Sequence, residues 1–425
     1  MRAVVAILPI ALLAAAPTPP ACARDLGETL RNGLYGDATL TVHARSYYLD
    51  RTNPAPPSHV AWAGGGWVGY ETGWFHDLLR FGVVGYTSQP LVAPPGTGGT
   101  LLLGPGQSGY TVLGQAWGKL KVGEQELTAY RQLINQPEVN PQDNRMTPNT
   151  FEAYLLSGKL WRIGYLAGYV DKIKPRDSAE FIDMARHAGA PAGVRQGMAL
   201  AGLSYAPNDD FKVRLSSYLV PDVLASGYGD VSGWVSLSHN LDLRIGAQIM
   251  VQGSNGANLL TGRPFSTWSG GIDVDLIMGN ATLTASYTQT GSAAAWRSPY
   301  GTWAGYTNMI VRDFNRANEG ALLVGATVDF AFLGVSGLAF TSNAAFGNGA
   351  INPATGAPLA RTNENDFTLD FLFANSTVDW PGWVKPLWIR GRAALVDQFE
   401  RGGMTTLRDY RVILNYEWKF GGKGR

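Results

Sequence analysis

Cysteine is nearly absent from this sequence. The single cysteine, Cys22, lies in an Ala-x-Ala motif that ends at Ala23 and is typical of signal-peptidase cleavage sites. The motif follows Arg2 and the apolar run 3–16, so we predict a signal peptide over residues 1–23. Because cleavage after Ala23 would remove Cys22, we expect the mature chain to contain neither a disulfide bond nor a cysteine-ligated metal site.

Charge is scarce as well. Asp, Glu, Lys and Arg make up 16% of the residues, against roughly 25% in soluble domains. The 34 basic and 33 acidic residues nearly cancel, and loss of Arg2 with the signal peptide makes the two numbers equal. This balance gives no reason to expect nucleic-acid binding. The five histidines show no metal-binding spacing, so we expect no metal and no cofactor.

A long hydrophobic run is also missing after the predicted signal peptide. The best candidate for a membrane-spanning helix, residues 320–346, is interrupted by Asp329 and by several glycines and serines. Such a stretch is too polar to cross a bilayer as one helix. Its pattern instead predicts two strands joined by a turn.

The alternation of apolar and polar residues, by contrast, is pronounced, most clearly near the end of the chain. One parity carries Tyr410, Val412, Leu414, Tyr416, Trp418 and Phe420. The other carries Arg411, Asn415, Glu417 and Lys419, with Ile413 as the exception. Period two predicts a strand with one apolar face, and three successive aromatics on that face are typical of a lipid-facing strand at a membrane interface. We interpret this strand as the one that closes an outer-membrane β-barrel.

The same alternation recurs along residues 24–425, which we predict to form one all-β domain. Long connections, among them residues 220–228 and 398–406, alternate with short turns. Bacterial barrels show this pattern, with long loops outside the cell and short turns in the periplasm. We therefore predict a transmembrane antiparallel β-barrel of about 18 strands, a size that leaves an aqueous channel.

Arginine recurs on the polar parity of the predicted strands. These residues are Arg45, Arg80, Arg162, Arg214, Arg244, Arg390, Arg392 and Arg411. An arginine that faces lipid near the bilayer midplane costs about 2–4 kcal/mol, so we expect these side chains to face the lumen. Arg131 is ambiguous, because it shares its parity with apolar neighbours and needs a bulge near the strand end to turn inward.

Two roles are open for these arginines. Cationic side chains along a narrow water-filled pore attract anions and steer carboxylates. Alternatively, each arginine pairs with a lumen carboxylate and only fills space. The carboxylates available for such pairs include Asp273, Asp275, Asp329, Asp370 and Glu417.

Two predicted loops have unusual composition. Residues 135–151 are punctuated by proline, asparagine and aspartate around Arg145, which indicates a rigid, ordered loop. Residues 296–319 are too aromatic for a solvated loop tip. The apolar side chains that must be buried there are Tyr300, Trp303, Tyr306, Met309, Ile310 and Phe314. Folding of this loop back into the barrel would bury them and narrow the pore.

Several stretches resemble the OprD family of outer-membrane porins. The sequence motifs are RSPYGTWAGY with the following DFNRANE, NRMTPNTFEAYLLSG, GYTVLGQAWGKLK, and the terminal RDYRVILNY. The resemblance implies a monomeric barrel of about 18 strands, constricted by inward-folded extracellular loops and lined by a ladder of basic residues. It also implies uptake of small carboxylate-bearing solutes such as amino acids and aromatic acids. The family pattern places Asp143 and Arg145 in one constriction loop, and Ser298, Tyr300, Arg312, Asp313 and Arg316 in the other.

The sequence thus predicts a passive, substrate-selective channel of the bacterial outer membrane rather than an enzyme. Its expected partners are small carboxylates and outer-membrane lipid; we expect a monomer, and a weak trimer is conceivable. The alternative is an outer-membrane barrel enzyme of the lipase or protease type. Such an enzyme needs a Ser/His or Asp/His set at one rim, which we cannot assemble from adjacent strands. A structural or adhesive barrel with a plugged lumen ranks last, because no segment is long enough for a separate plug.

Overall fold

The computed structural model describes residues 26–421, so the predicted signal peptide, residues 1–23, lies outside the described residues. The strands within that range are β1 (Thr39–Thr52), β2 (His59–Glu71), β3 (Leu79–Val92), β4 (Tyr110–Val122), β5 (Gln125–Gln132), β6 (Thr150–Leu160), β7 (Ile163–Lys174), β8 (Ile182–Asp183), β9 (Met198–Asn208), β10 (Phe211–Val220), β11 (Leu224–Ser238), β12 (Leu241–Gly253), β13 (Ser266–Met278), β14 (Ala281–Thr290), β15 (Gly320–Asp329), β16 (Leu338–Asn348), β17 (Arg361–Leu372), β18 (Leu387–Glu400) and β19 (Gly403–Gly421).

The strands form one closed antiparallel barrel. Each long strand pairs with its neighbours in the sequence, and β1 pairs with β19 from Thr39 opposite Gly421 to Thr52 opposite Arg408. β8 is an extra element that pairs only with the end of β7, while β7 and β9 pair directly. The barrel proper therefore has 18 strands, and the predicted all-β fold, an antiparallel barrel of about 18 strands, is confirmed.

The two faces of each strand differ as the period-two pattern predicts. On β19, Tyr410, Val412 and Leu414 are exposed on the outer face, whereas Asp409 and Arg411 are buried on the inner face. The outer face of the barrel is therefore apolar, and the polar side chains lie inside. This is the arrangement of a barrel whose outer surface meets lipid.

The connections at the two ends of the barrel differ in length. At one end, most strands are joined by turns of two residues, such as 123–124 and 279–280. The other end carries the longer connections, among them the first loop (residues 133–149) and the second loop (residues 291–319), as we call them here. A third long connection, residues 175–197, contains β8.

Two connections predicted to be long are short. β10 and β11 are joined by residues 221–223, and β18 and β19 by residues 401–402. The prediction was wrong because glycine, serine and threonine in these stretches resemble loop residues. Their backbones continue the ladder nevertheless, as where Gly227 lies opposite Ser217 and Val251.

The helices are short. They are α1 (Leu26–Arg31), α2 (Met184–Ala188), a π-helix (Asn32–Gly36) and the 3₁₀-helices Pro105–Gln107, Phe330–Leu333 and Phe373–Asn375. No helix within residues 26–421 is long and apolar enough to cross a membrane. Residues 320–346 instead contain β15 and most of β16, as predicted.

The largest buried apolar cluster connects loops to the barrel wall. Phe151 of β6, Met184 of α2 and Tyr218 of β10 pack there with Tyr300 of the second loop. The ring of Tyr300 contacts that of Tyr218 edge-on, with centroids 5.4 Å apart. Loop residues therefore provide part of the hydrophobic core of this barrel.

A charge on the outer face should destabilise the barrel. Leu215 lies near the middle of β10 and is 51% exposed, and its neighbour Arg214 faces inward. We expect Leu215→Arg to lower the free energy of unfolding in lipid bilayers by about 2–4 kcal/mol, because it places a cation in lipid. Reversible denaturant titration of the protein in vesicles measures this loss, with Leu215→Met as the control. Equal stability of the two variants would contradict a lipid-facing position.

Candidate functional site

Most of the arginines predicted to line the lumen lie on the inner face of the barrel. On β10, Arg214 alternates with exposed Leu215, and on β12 Arg244 alternates with exposed Ile245. The arginines with this placement are Arg45, Arg80, Arg214, Arg244, Arg390, Arg392 and Arg411.

Arg162 does not lie on a strand. β6 ends at Leu160 and β7 begins at Ile163, and these two residues pair directly. Arg162 is therefore exposed in the two-residue turn, next to Trp161, whose φ is 59°. The prediction that Arg162 lines the lumen was wrong, because the turn removes it from the ladder of alternating residues.

Arg131 also departs from the prediction. It follows Leu127 and Ala129 on the same parity, and these residues lie opposite exposed Leu156 and Tyr154 of the outer face. The pairings of β5 with β4 and β6 continue through Arg131 without a register shift, so no bulge turns it inward, and it pairs with Glu152 at 3.0 Å. Its guanidinium also lies 4.1 Å from the ring centroid of Phe181. Arg131 is therefore part of an outward-facing ion pair near the strand end.

Several inner arginines are paired with carboxylates, which is the second role considered for them. The pairs are Arg214 with Asp230, Arg244 with Asp273 and Asp275, Arg390 with Asp370, and Arg80 with Glu71. The contact of Arg390 is bidentate, with Nε and Nη2 donating to the Asp370 oxygens at 2.6 and 3.0 Å. The one-to-one pairs contribute little net charge to the lumen, whereas Arg244 is shared by two carboxylates.

The other two carboxylates considered as arginine partners have different contacts. Asp329 accepts a hydrogen bond from the Ala331 N–H at 2.8 Å and caps a 3₁₀-helix. Glu417 lies 3.1 Å from the His43 ring and 2.9 Å from Lys419. Neither carboxylate forms an ion pair with an arginine of the described residues.

Arg45 of β1 is held by the first loop. Its Nη1 donates to Asp143 Oδ1 and to the carbonyl oxygen of Arg145, both at 2.6 Å. Its Nε donates to Asn415 of β19 at 2.7 Å. These contacts bring the two charged residues assigned to the first constriction loop next to the inner face of the barrel.

Arg145 of the first loop is bound by main-chain oxygens. Its Nε donates to the Thr100 carbonyl at 2.8 Å, and its Nη1 donates to the Asn144 carbonyl at 2.7 Å. Within residues 26–421 it has no carboxylate partner. Burial and the nearby Arg411 lower the pKa of Arg145 to about 9, so it keeps its positive charge at neutral pH.

Two further predicted cations lack a carboxylate partner in the described part of the chain. Arg392 of β18 donates from Nε to the Thr368 hydroxyl at 3.2 Å. Arg312 of the second loop has a buried Nε without a hydrogen-bond partner there. Burial lowers the pKa of Arg312 from its usual range.

The sequence interpretation missed Arg51 and Arg176. Arg51 donates to Asp409 at 2.8 Å, and Arg411 contacts the same carboxylate at 2.5 Å, so one anion serves two cations. The parity that Arg51 shares with Arg45 could have revealed it. Arg176 lies in a loop, where no periodic signal exists, and it donates to the Asn144 side chain.

The first loop contacts both the barrel wall and the second loop. Ser226 of β11 donates to Glu138 Oε1 at 2.7 Å. Toward the second loop, the Asn140 N–H donates to the Tyr300 carbonyl at 3.2 Å, and the Thr302 N–H donates to Asn140 Oδ1 at 2.9 Å. Burial raises the pKa of Glu138 to about 7. The two loops thus contact each other directly.

Most of the large apolar side chains of the second loop are buried. Tyr300, Trp303, Met309 and Phe314 are buried. The Tyr300 hydroxyl donates to the Met184 carbonyl at 3.0 Å. Tyr306, Ile310 and the assigned Ser298 are half-buried.

The charged residues of the second loop line a cavity of about 290 Å³. Arg312, Asp313 and Arg316 lie in its wall together with Thr362 and Gln398 of the barrel. Arg316 donates from Nε to Glu319 at 3.1 Å. Burial raises the pKa of Asp313 to about 6.

A larger cavity of about 1050 Å³ lies between the first loop and the strands near the end with short turns. Asn140 and Asp143 contribute from the loop, and Lys212 and Arg214 from β10. Polar and charged side chains of both signs therefore face this space.

Comparison with known proteins agrees with the fold and with the sequence motifs. The family model described as outer membrane porin, OprD family, matches residues 32–420. A comparison with curated protein sequences gave no match. Porins such as those of the OprD family are channels rather than enzymes.

Solved structures of porins are similar over their whole length. OccK9 (OpdG) of Pseudomonas aeruginosa gives a TM-score of 0.81 at 21% identity, covering 91% of this chain and 100% of that one. OccAB3 of Acinetobacter baumannii gives 0.81 at 18% identity, with 90% and 100% coverage. OpdK of Pseudomonas aeruginosa, solved with vanillate, gives 0.77 at 21% identity, with 90% and 99% coverage. With the family match over most of its length, this chain belongs to the OprD family of outer-membrane porins.

Proposed function

We propose that this porin passively takes up small carboxylate-bearing solutes, such as amino acids and aromatic acids. The observation that carries the proposal is a set of cations without carboxylate partners in the described residues, which includes Arg145, Arg312 and Arg392. Uncompensated cations in a narrow aqueous pore attract anions more strongly than neutral ion pairs do.

We also propose that the first and second loops fold into the lumen and narrow it. Support comes from the contacts of the first loop with Arg45 and Ser226, whose side chains face inward from opposite parts of the barrel wall. The mutual hydrogen bonds at Asn140 support the same arrangement. A solute would then pass close to the unpaired cations rather than through the centre of a wide pore.

In the proposed mechanism, a carboxylate is exchanged between successive arginines. Each contact must be weak enough to release the solute, so several modest sites serve better than one tight site. The carboxylate of Asp313 opposes anions and favours solutes that also carry a cationic or hydroxyl group. The vanillate in the OpdK structure supports aromatic acids as one substrate class, because vanillate carries a carboxylate.

Two further features of the mature protein belong to this proposal. We propose that residues 1–23 are removed on export, which mass measurement of the purified protein would test against a chain beginning at Arg24. We also propose a monomer, because the fold closes every strand within one chain.

Flux into liposomes tests the proposed function. Purified protein in liposomes should admit benzoate-like and amino-acid carboxylates faster than neutral sugars of equal size. The unpaired cations raise the local concentration of anions at the constriction. Entry that depends on size alone would contradict the proposal and indicate a general pore.

Removal of an unpaired arginine should lower carboxylate flux selectively. We expect Arg392→Ala to lower carboxylate flux by roughly tenfold while neutral sugar flux changes little, since a cation that attracts the solute is lost. The control is the double variant Arg390→Ala/Asp370→Ala, which removes a neutral ion pair and leaves the net charge unchanged. Equal losses of carboxylate flux in the two variants would contradict the assignment of attraction to unpaired cations.

Ion selectivity should depend on pH through Asp313. Burial raises the pKa of Asp313 to about 6, so the side chain is ionised at pH 7.5 and mostly neutral at pH 5. We expect preference for Cl⁻ over K⁺, measured as reversal potential in a KCl gradient, to rise as the pH falls through 6. Asp313→Asn should remove the part of this rise that is centred near pH 6. Glu138→Gln, which removes the loop carboxylate with a pKa of about 7, should retain it.

A further inference from the structure

Two acidic side chains on β17 have no cation opposite them. Glu364 is fully buried and Asp366 is 5% exposed, and both lie on the inner face. The residues paired with Glu364 on the neighbouring strands are Ala345 and Val396. Ala394 lies opposite Asp366 on β18. Buried carboxylates require hydrogen bonds or counter-charges, so these two must find partners elsewhere.

Their partners are consecutive main-chain N–H groups of the second loop. The Ile310 N–H donates to Asp366 Oδ2 at 2.8 Å. The N–H groups of Val311 and Arg312 donate to the two oxygens of Glu364 at 2.7 and 2.8 Å. Each bond gives a donor to a carboxyl oxygen that is buried away from water, where an unsatisfied polar atom is costly. One short segment of the loop is therefore bound to β17 by three such bonds.

The same segment is held from other directions. Arg411 of β19 donates from Nη2 to the Ile310 carbonyl at 3.1 Å, so both polar groups of this residue are bound to the barrel. Met309 and Phe314 pack in an apolar cluster with Leu323 of β15 and Ala345 of β16. The small side chains of Ala345 and Ala394 leave room for the loop to approach the wall.

The segment ends in the charged residues of the second loop. Arg312 donates its N–H to Glu364, and its side chain lines the cavity of about 290 Å³ next to Asp313. Because the main chain is held at residue 312, the Cα positions from which the side chains of Arg312 and Asp313 extend are held as well. The hydrogen bonds at β17 therefore determine where a cation and a carboxylate meet the solute.

We propose that Glu364 and Asp366 are positioning residues that clamp the second loop and thereby set which solutes pass. This inference rests on the proposed function, in which the second loop narrows the channel. The clamp acts through the main chain, and neither carboxylate needs to contact the solute. The competing explanation is that the two carboxylates act only as negative charges in the lumen.

Two isosteric variants separate the clamp from the charge. Glu364 accepts with both oxygens, so Glu364→Gln can retain only one of its two bonds and turns an amide NH₂ toward an N–H donor. Asp366 accepts with Oδ2 alone, while its Oδ1 has no partner in the described residues. Asp366→Asn can therefore keep the bond to Ile310. Both variants replace a carboxyl group by an amide at neighbouring inner positions of β17.

Single-channel recording in KCl provides the first readout. We expect Glu364→Gln to spend about tenfold more time in altered conductance levels than the wild type, since it loses a buried hydrogen bond and leaves an N–H without an acceptor. Asp366→Asn should fluctuate like the wild type and like Asn365→Ala, which alters a neighbouring residue of the opposite parity. Equal fluctuations in Glu364→Gln and Asp366→Asn would overturn the proposal.

Carboxylate flux provides the second readout, and its sign distinguishes the two explanations. If only lumen charge matters, neither variant lowers carboxylate flux relative to sugar flux. If the clamp operates, Glu364→Gln loses discrimination between carboxylates and sugars, while Asp366→Asn retains it. Discrimination that is undiminished in both variants would therefore refute the clamp.

A second pair of variants covers the case in which Glu364→Gln does not fold. Asp366→Ala removes the acceptor and should fluctuate more than Asp366→Asn, which retains it. The current fluctuations are measured without any carboxylate solute. Absence of carboxylate preference in the wild type would therefore reject the proposed function and leave the test of the clamp valid.

Discussion

The closed ladder of main-chain hydrogen bonds is the constraint on which the rest of this porin depends. A bilayer offers no water to unpaired N–H and C=O groups, so every spanning strand must pair on both sides. Pairing of β1 with β19 removes the last free edge. Once the ladder is closed, the pleat fixes which side chains meet lipid and which meet the lumen. The apolar outer face and the arginines of the inner face are consequences of this single geometry.

Charge inside the barrel is distributed unevenly. Where an arginine faces a carboxylate across the ladder, as Arg390 faces Asp370 on the adjoining strand, the pair fills space and adds little field. Where an arginine is bound by carbonyl or hydroxyl oxygens, as Arg145 and Arg392 are, it is positioned but keeps its charge. A chain with nearly equal numbers of acidic and basic residues can thus present cations to a solute.

Sequence periodicity predicted those features that depend on the pleat. The alternation of residues 407–420 identified the outer and inner faces of β19, and about 18 strands were expected. Arg162 was misplaced because a turn interrupts the alternation, and Arg131 because the bulge that was assumed is absent from the pairing of β5. The connection at residues 401–402 was predicted too long, since small residues at a strand end resemble a loop.

The loop contacts follow from the same need to pair main-chain N–H and C=O groups, although no pattern in the sequence predicts them. Glu364 and Val311 are 53 residues apart, and the loop contributes only N–H groups, which every residue except proline has. Loop N–H groups that leave water still need acceptors, and Glu364 and Asp366 supply them. Carboxylates used in this way are not available to pair with arginines. The main chain of the second loop therefore occupies acceptor oxygens of two acidic groups, and Arg392 of the neighbouring strand donates to the Thr368 hydroxyl instead.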